Sequence, residues 1–417
     1  MGRRLQKTAL PTVPGRRAAS LAPAGAQLFA SQAAAAASAF LLGLLIARSL
    51  GPTGLGSYAA AMALLIVQLT FTELGFSILL TREAARRPWR MNRMLLGTSG
   101  LKLGLFALSI PAVLLLRGPT TTELLIPGMI WVLLSAICLG PLSLLRGRGH
   151  FATHLYLQLA ETALLLPAGL YLALRRAPVA AFLWLLAAAQ GAKLAAAIAV
   201  HAGKLTSAGG SWMPRGAFLP WLLRAGARFG LAVLISVAYF RADILLLRRL
   251  AGAADTGRYA AALALFETGK LLPSAFLGAL YPRLAAAGGS LAQVAAHGLK
   301  RALLLAFASA AVLFGAAPWL VRGIFGPRFQ SGADLLLVLA PVVVPATLTS
   351  GFTLLLFASG REPAVSAATG AAIAVLVAGL AILVPPFAAE GAALSRAIAE
   401  IFLCLLLWSR VRPLLRG

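Results

Sequence analysis

Apolar runs of about 18 to 25 residues recur along this chain, and each can cross about 30 Å of hydrocarbon as a helix that satisfies its own backbone. Twelve can be traced. Gln27–Ala47, Ser57–Leu80, Met94–Leu116, Glu123–Leu145, Leu155–Leu174 and Val179–Val200 precede the longest connection, Ala202–Arg228. Phe229–Leu247, Tyr259–Leu280, Ala302–Ile324, Leu335–Ala358, Ala364–Val384 and Gly391–Trp408 follow it. With 60% hydrophobic and 12% charged residues among 417, a water-soluble globule could not cover its apolar surface. The reading is an all-α polytopic membrane protein.

The two sets of six runs are related. Arg48–Arg87 (RSLGPTGLGSYAAAMALL…) returns as Arg248–Ala287 (RRLAGAADTGRYAAALAL…), with Gly56 and Tyr58 matching Gly257 and Tyr259 at an offset of 201 residues. At the same offset Arg48 meets Arg249, Gly51 meets Gly252 and Arg82 meets Arg283. An internal duplication predicts two six-helix lobes: residues 26–201 and 229–409, joined by a linker over 202–228. Basic tails, 1–25 and 410–417, flank them.

The formal net charge is +26, yet the arginines cluster in short connections where they orient helices, so a nucleic-acid partner is not expected. With the N-terminus inside, about twenty-three basic residues fall on the cytoplasmic side and about nine on the other. Both termini and the 202–228 connection are therefore expected in the cytoplasm. Cys138 and Cys404 lie within apolar runs and are expected as buried thiols.

No G-x-x-x-x-G-K-[ST] loop is present to cradle a nucleotide, nor H-E-x-x-H or G-x-S-x-G. His150, His154, His201 and His297 lack metal-ligand spacing. No cofactor, metal or catalytic residue is expected, and the protein is not read as an enzyme.

IARSLGPTGLGSYAAAMALL resembles the first loop of bacterial Wzx-type oligosaccharide flippases. These form the polysaccharide-transporter branch of the MOP superfamily, which includes the multidrug MATE exporters. RADILLLRRLAGAADTGRYAAALALFETGKLLPSAFLGALYPRLA is similar to the family's seventh and eighth helices, FGPRFQSGADLLLVLAP to the start of the tenth, and AAEGAALSRAIAEIFLCLLL to the start of the twelfth. The resemblance implies two lobes around a cavity that opens alternately to either membrane face. It also implies a substrate: a polyprenyl-pyrophosphate-linked sugar repeat, moved from the cytoplasmic to the outer leaflet of the bacterial inner membrane for O antigen, capsule or exopolysaccharide. Polymerases, glycosyltransferases and membrane lipids are the implied partners.

Within the spans lie Lys102, Glu161, Lys193, Arg241, Asp243, Glu267, Lys270, Arg396 and Glu400, with Glu73 at the inner part of the second. Each costs about 2.5 to 3.5 kcal/mol at a helix centre, so each should face a lobe interior or a wet cavity. A pyrophosphate headgroup needs cations: Arg offers a planar fork and Lys a point charge. Arg241, Lys102, Lys193 and Lys270 are the candidate substrate-binding residues; Asp243, Glu267, Glu161 and Glu73 are candidate supporting or coupling groups. For each, a structural ion pair between helices is the competing account.

Three pairings are expected: Arg241 with Glu267, Asp243 with Lys270 or Arg258, and Glu73 with Arg82 or Arg86. Arg396 and Glu400, four residues apart, are expected to pair with each other and are set aside as site residues. Other readings remain: a MATE-type cation exporter, which would want acidic groups in its cavity, a membrane polymerase or ligase, or a scaffold of glycan assembly.

Overall fold

The computed structural model describes residues 21–86, 91–118, 122–205, 218–286 and 291–416. The described residues form helices and the turns between them. α1 (Leu21–Glu73), α2 (Phe76–Arg86), α3 (Met91–Leu116), α4 (Thr122–Gly147), α5 (Phe151–Leu174) and α6 (Val179–Leu205) make the first lobe. α7 (Phe218–Leu250), α8 (Gly252–Ala286), α9 (Leu291–Gly315), α10 (Ala317–Phe325), α11 (Gly332–Leu339), α12 (Val343–Ala358) and α13 (Glu362–Arg416) make the second. Among the described residues, ten segments are long and apolar enough to cross a membrane. Two of them, α1 with 53 residues and α13 with 55, run for about 80 Å at 1.5 Å per residue, more than twice the hydrocarbon thickness. Each is a double crossing bent in the middle, which brings the total to twelve in two six-helix lobes.

The bends have local causes. α1 turns at Gly51 (φ 72°, ψ −167°), where a side chain would be strained, and Pro52 follows. α13 turns at Ala388 (φ 45°, ψ −121°) just after Pro385 and Pro386. Gly252, the repeat partner of Gly51, is also left-handed at φ 87° and separates α7 from α8. The duplication read from the sequence therefore extends to backbone conformation.

Some helix limits differ from the sequence reading. The second run, expected to Leu80, stops at Glu73, because Leu74 (φ 40°) and Gly75 (φ 76°) leave the helical region and α2 departs on a new axis. The ninth run, expected to Ile324, ends at Gly315, and α10 begins anew at a proline-containing first turn. Its Ala317, Val321 and Phe325 are buried at helical spacing while Trp319 faces out. The tenth crossing is α11 and α12 joined by a 3-10 turn at Pro341. Helix α7 already starts at Phe218, inside the stretch read as linker, and α6 continues to Leu205. The N-terminal tail to residue 20 and the middle of the 202–228 connection lie outside the described residues.

The lobes meet at both membrane faces, through glycines. On the face away from the chain ends, a Cβ on Gly56 would collide with the Ala253 carbonyl, and one on Gly257 with the Pro52 carbonyl. Two backbones cross there at van der Waals distance. Beside them Arg48 donates from Nε to the Ile324 carbonyl (2.7 Å) and from Nη2 to the Gly323 carbonyl (2.6 Å), capping the last turn of α10. The Phe40 and Phe325 rings meet edge to face at 6.3 Å.

On the face that carries the chain ends, the Leu74–Gly75 turn presses into α7 at Gly226 and Gly230. Arg93 and Arg82 cover the Phe218 and Phe229 rings at 4.5 and 5.6 Å. Large apolar residues such as Leu115, Leu174 and Ile382 are left exposed on the bundle exterior, where lipid would cover them.

Candidate functional site

Four of the five cations within the spans are held by carboxylates. In the first lobe, Lys102 on α3 meets Glu73 at 2.6 Å and donates to the Ala136 carbonyl on α4 at 2.7 Å. Glu73 ends α1 and accepts the Ser77 backbone N–H, so one carboxylate ties the α1–α2 turn to α3. Glu73 is thus paired with Lys102 rather than with Arg82. Arg82 pairs with Glu83 at 3.5 Å, and the side chain of Arg86 lies outside the described residues.

Lys193 on α6 meets Glu161 on α5 at 2.8 Å and donates to Gln158 Oε1 at 2.7 Å, while Gln158 donates to Glu161 at 2.9 Å. This triangle is closed, buried, and internal to the first lobe.

In the second lobe the centre is Arg396, only 1% exposed, on the second crossing of α13. Its Nη1 donates to Asp243 Oδ2 at 3.2 Å, and its Nε lies 3.8 Å from Glu400 Oε2. Asp243 also accepts the Tyr259 hydroxyl at 2.6 Å, and Glu400 accepts that of Tyr239 at 2.9 Å. The guanidinium lies over the Tyr239 and Phe240 rings at 4.9 and 5.1 Å. Two carboxylates, two phenols and one guanidinium therefore lock α7, α8 and α13 together. The two carboxylates offset the cost of burying the guanidinium, although its Nε makes no hydrogen bond.

The expected partners of Asp243, Lys270 and Arg258, are taken up locally instead. Lys270 is held by Glu267 at 2.9 and 3.0 Å and Arg258 by Asp255 at 2.9 Å, each three residues away on α8. Arg396 and Glu400 do approach each other as expected, but the shorter contact of Arg396 is to Asp243 on another helix.

Arg241 is different. Glu267, expected to hold it, is engaged by Lys270, and Arg241 makes no ion pair or hydrogen bond among the described residues. Helical register places it on a particular side of α7. Leu234, seven residues earlier, lines a cavity of about 200 Å³ with Gln68 on α1 and Ser109 on α3. Leu245, four residues later, packs on Leu64, Val113 and Leu125 of the first lobe. Arg241 stands between them on the α7 side that faces the other lobe, about 14 Å from Leu250 at the helix end. Across that cavity from Leu234, Gln68 donates to Ser109 Oγ at 3.0 Å and keeps its buried Oε1 unpartnered. A second interlobe cavity, about 190 Å³, lies toward the chain-end face between Glu73, Gly75 and Val233.

Sequence reasoning passed over Gln68, Tyr239 and Tyr259 and set Arg396 aside. Tyr259 carried a signal, since it is the repeat partner of Tyr58; Arg396 was masked by a nearer acidic residue on its own helix.

The comparisons agree with this architecture. Residues 25–287, more than half of the chain, match the family described as "Polysaccharide biosynthesis protein". No curated protein matches. Among solved structures, a lipid II flippase MurJ in an inward closed conformation superposes with TM-score 0.75 at 13% identity, over 94% of this chain and 88% of that one. An inward-facing multidrug resistance MATE family transporter of the MOP superfamily gives TM-score 0.69 at 15% identity, over 91% and 94%. A MOP superfamily transporter from Pyrococcus furiosus gives 0.66 at 16% identity, over 94% and 95%. At these identities the likeness is one of fold. The chain is a multi-pass membrane protein of the polysaccharide biosynthesis protein family, built on the transporter fold of the MOP superfamily.

Proposed function

We propose that this protein is a flippase that moves a polyprenyl-pyrophosphate-linked oligosaccharide repeat from the cytoplasmic to the outer leaflet of the bacterial inner membrane, for assembly of a surface polysaccharide. The observation that carries this reading is the charge balance of the spans. Lys102, Lys193, Lys270 and Arg396 each have a carboxylate in ion-pair contact, whereas Arg241, on the side of α7 that faces the first lobe, has none in contact and only the more distant Asp243 and Glu267 about it. A guanidinium set among apolar helices with no carboxylate in ion-pair contact attracts an anion, and its planar fork fits phosphate oxygens. A cation exporter would need the reverse, an unpaired carboxylate. Glu73, Glu161, Asp243, Glu267 and Glu400 all have basic partners.

The contacts at the two faces support alternating access. Opening toward the outer leaflet separates Gly56 from Gly257 and Arg48 from α10, while the Gly75 contact with α7 stays shut; opening toward the cytoplasm does the opposite. Paired ions inside each lobe keep the lobes rigid as they rock. A pyrophosphate linkage carries about two negative charges, so an inside-negative potential of 100 mV favours outward movement by about 4.6 kcal/mol, and no nucleotide site is required. Polymerases and glycosyltransferases of the same surface glycan are the partners this reading implies.

Deleting the gene tests the reading. Lipid-linked repeat units should accumulate on the cytoplasmic side, and the surface glycan should disappear. Normal surface glycan in a strain with no second copy refutes it.

A further inference from the structure

The second lobe contains a cavity of about 600 Å³ between α7, α8, α12 and α13 that none of the ion pairs enters. Its wall is mostly apolar, with hydroxyls set into it from all four helices: Ser236, Ser274, Ser350, Thr353, Ser366 and Thr369. No charged side chain is among its described lining residues. Ser236, Ser350 and Thr369 each donate to the carbonyl four residues back, at 3.0 Å. A hydroxyl whose proton is committed in this way keeps its lone pairs, so it presents an acceptor to the cavity. Ser274, Thr353 and Ser366 make no hydrogen bond among the described residues and can donate or accept. Phe240 and Phe357 add flat apolar walls.

The lining selects by chemistry. Neither a cation nor an anion finds a counter-charge among the described lining residues. An acyl chain would suit the apolar part of the wall but would leave Ser274, Thr353 and Ser366 without a partner, at a cost for each. A polyol ring fits on both counts: its O–H groups donate to the acceptors, and its C–H face lies on the aromatic walls. Position argues the same way. Phe240 in the cavity wall directly precedes Arg241, and Lys270 stands 5.6 Å from the Phe240 ring. Val233 lines both this cavity and the interlobe cavity beside Glu73.

We propose that this hydroxyl-lined cavity binds an uncharged sugar ring of the lipid-linked substrate while the pyrophosphate stays outside it near Arg241. The proposal rests on the flippase reading above.

The test uses the full chain in lipid nanodiscs and two probes: undecaprenyl diphosphate, and the lipid-linked repeat unit purified from the deletion strain. Two variants alter the cavity. Ser236→Ala with Ser350→Ala and Thr369→Val removes three hydroxyls at nearly constant volume. Gly278→Trp narrows the space; a Cβ at Gly278 meets nothing within 4 Å, so this variant should fold even where the first does not. The wild type should bind the sugar-bearing probe at least tenfold more tightly than undecaprenyl diphosphate. Both variants should abolish that difference while keeping affinity for undecaprenyl diphosphate within twofold. Equal wild-type affinity for the two probes, or a preference for the sugar that survives in the variants, overturns the sugar assignment and leaves the flippase reading standing. Failure of the wild type to bind either probe overturns both.

Discussion

Gly56 and Gly257, 201 positions apart in the chain, pack backbone against backbone across the lobe boundary. The residues that register the duplication are thus the residues at which the duplicated halves touch. A methyl group on either would collide with a carbonyl of the other lobe, and overpacking of this kind costs about 1 to 3 kcal/mol. Gly56→Ala and Gly257→Ala should each keep near-normal membrane levels, lower the thermal midpoint, and reduce transport at least tenfold because this face no longer closes. Wild-type transport in either variant would remove the glycine crossing from the cycle.

The Arg48 contact with α10 gives an independent handle on the same face. A reducible bis-methanethiosulfonate linker should join Phe40→Cys to Phe325→Cys, since the two wild-type rings meet edge to face at 6.3 Å, and should block transport reversibly. Adding Arg48→Ala should lower the cross-linking yield by releasing the α10 terminus, because the two hydrogen bonds that hold it are lost. An unchanged yield would mean that the apolar contact alone holds α10.

Arg396 is expected to matter for stability rather than for substrate contact. Removing one partner of a buried ion pair costs about 3 to 5 kcal/mol, because the other charge stays behind unpaired. Arg396→Met or Asp243→Asn should each sharply reduce the folded yield, and combining them should recover part of it. If Arg396→Met folds normally yet fails to transport, the guanidinium belongs to the transport site instead.

The architecture was legible in the sequence because span length and glycine and proline positions act locally. The bends at Gly51 and after Pro385–Pro386, and the relation of Gly51 to Gly252, could all be placed from the residues alone. The break at Leu74 could not, since a leucine at positive φ leaves no mark in composition. Pairing was the least legible. A residue's position along its helix sets its depth, but which neighbour it faces depends on how the helices are rotated and packed. Glu267 was therefore assigned to Arg241 on depth, whereas Lys270, one turn away, holds it at 2.9 Å. Arg396 was given its neighbour Glu400, and the tertiary contact to Asp243 stayed hidden.

Orientation rests on the basic residues of alternate connections. Reporter fusions after Gly210 and at Gly417 should both behave as cytoplasmic. An outer-face signal from either would invert the direction assigned to every step of transport.

The central claim is that Arg241 binds the anionic headgroup, and the most direct measurement is flipping of the lipid-linked repeat in cells that carry single substitutions at this position. At normal protein levels, Arg241→Ala should lose at least 90% of activity and Arg241→Lys should keep a part of it, because a point charge replaces the fork. The exchange Arg241→Glu with Glu267→Arg should stay inactive, since Glu267 already serves Lys270 and the cation would stand in the wrong place. Full activity in Arg241→Ala, or in the exchanged protein, would contradict the account.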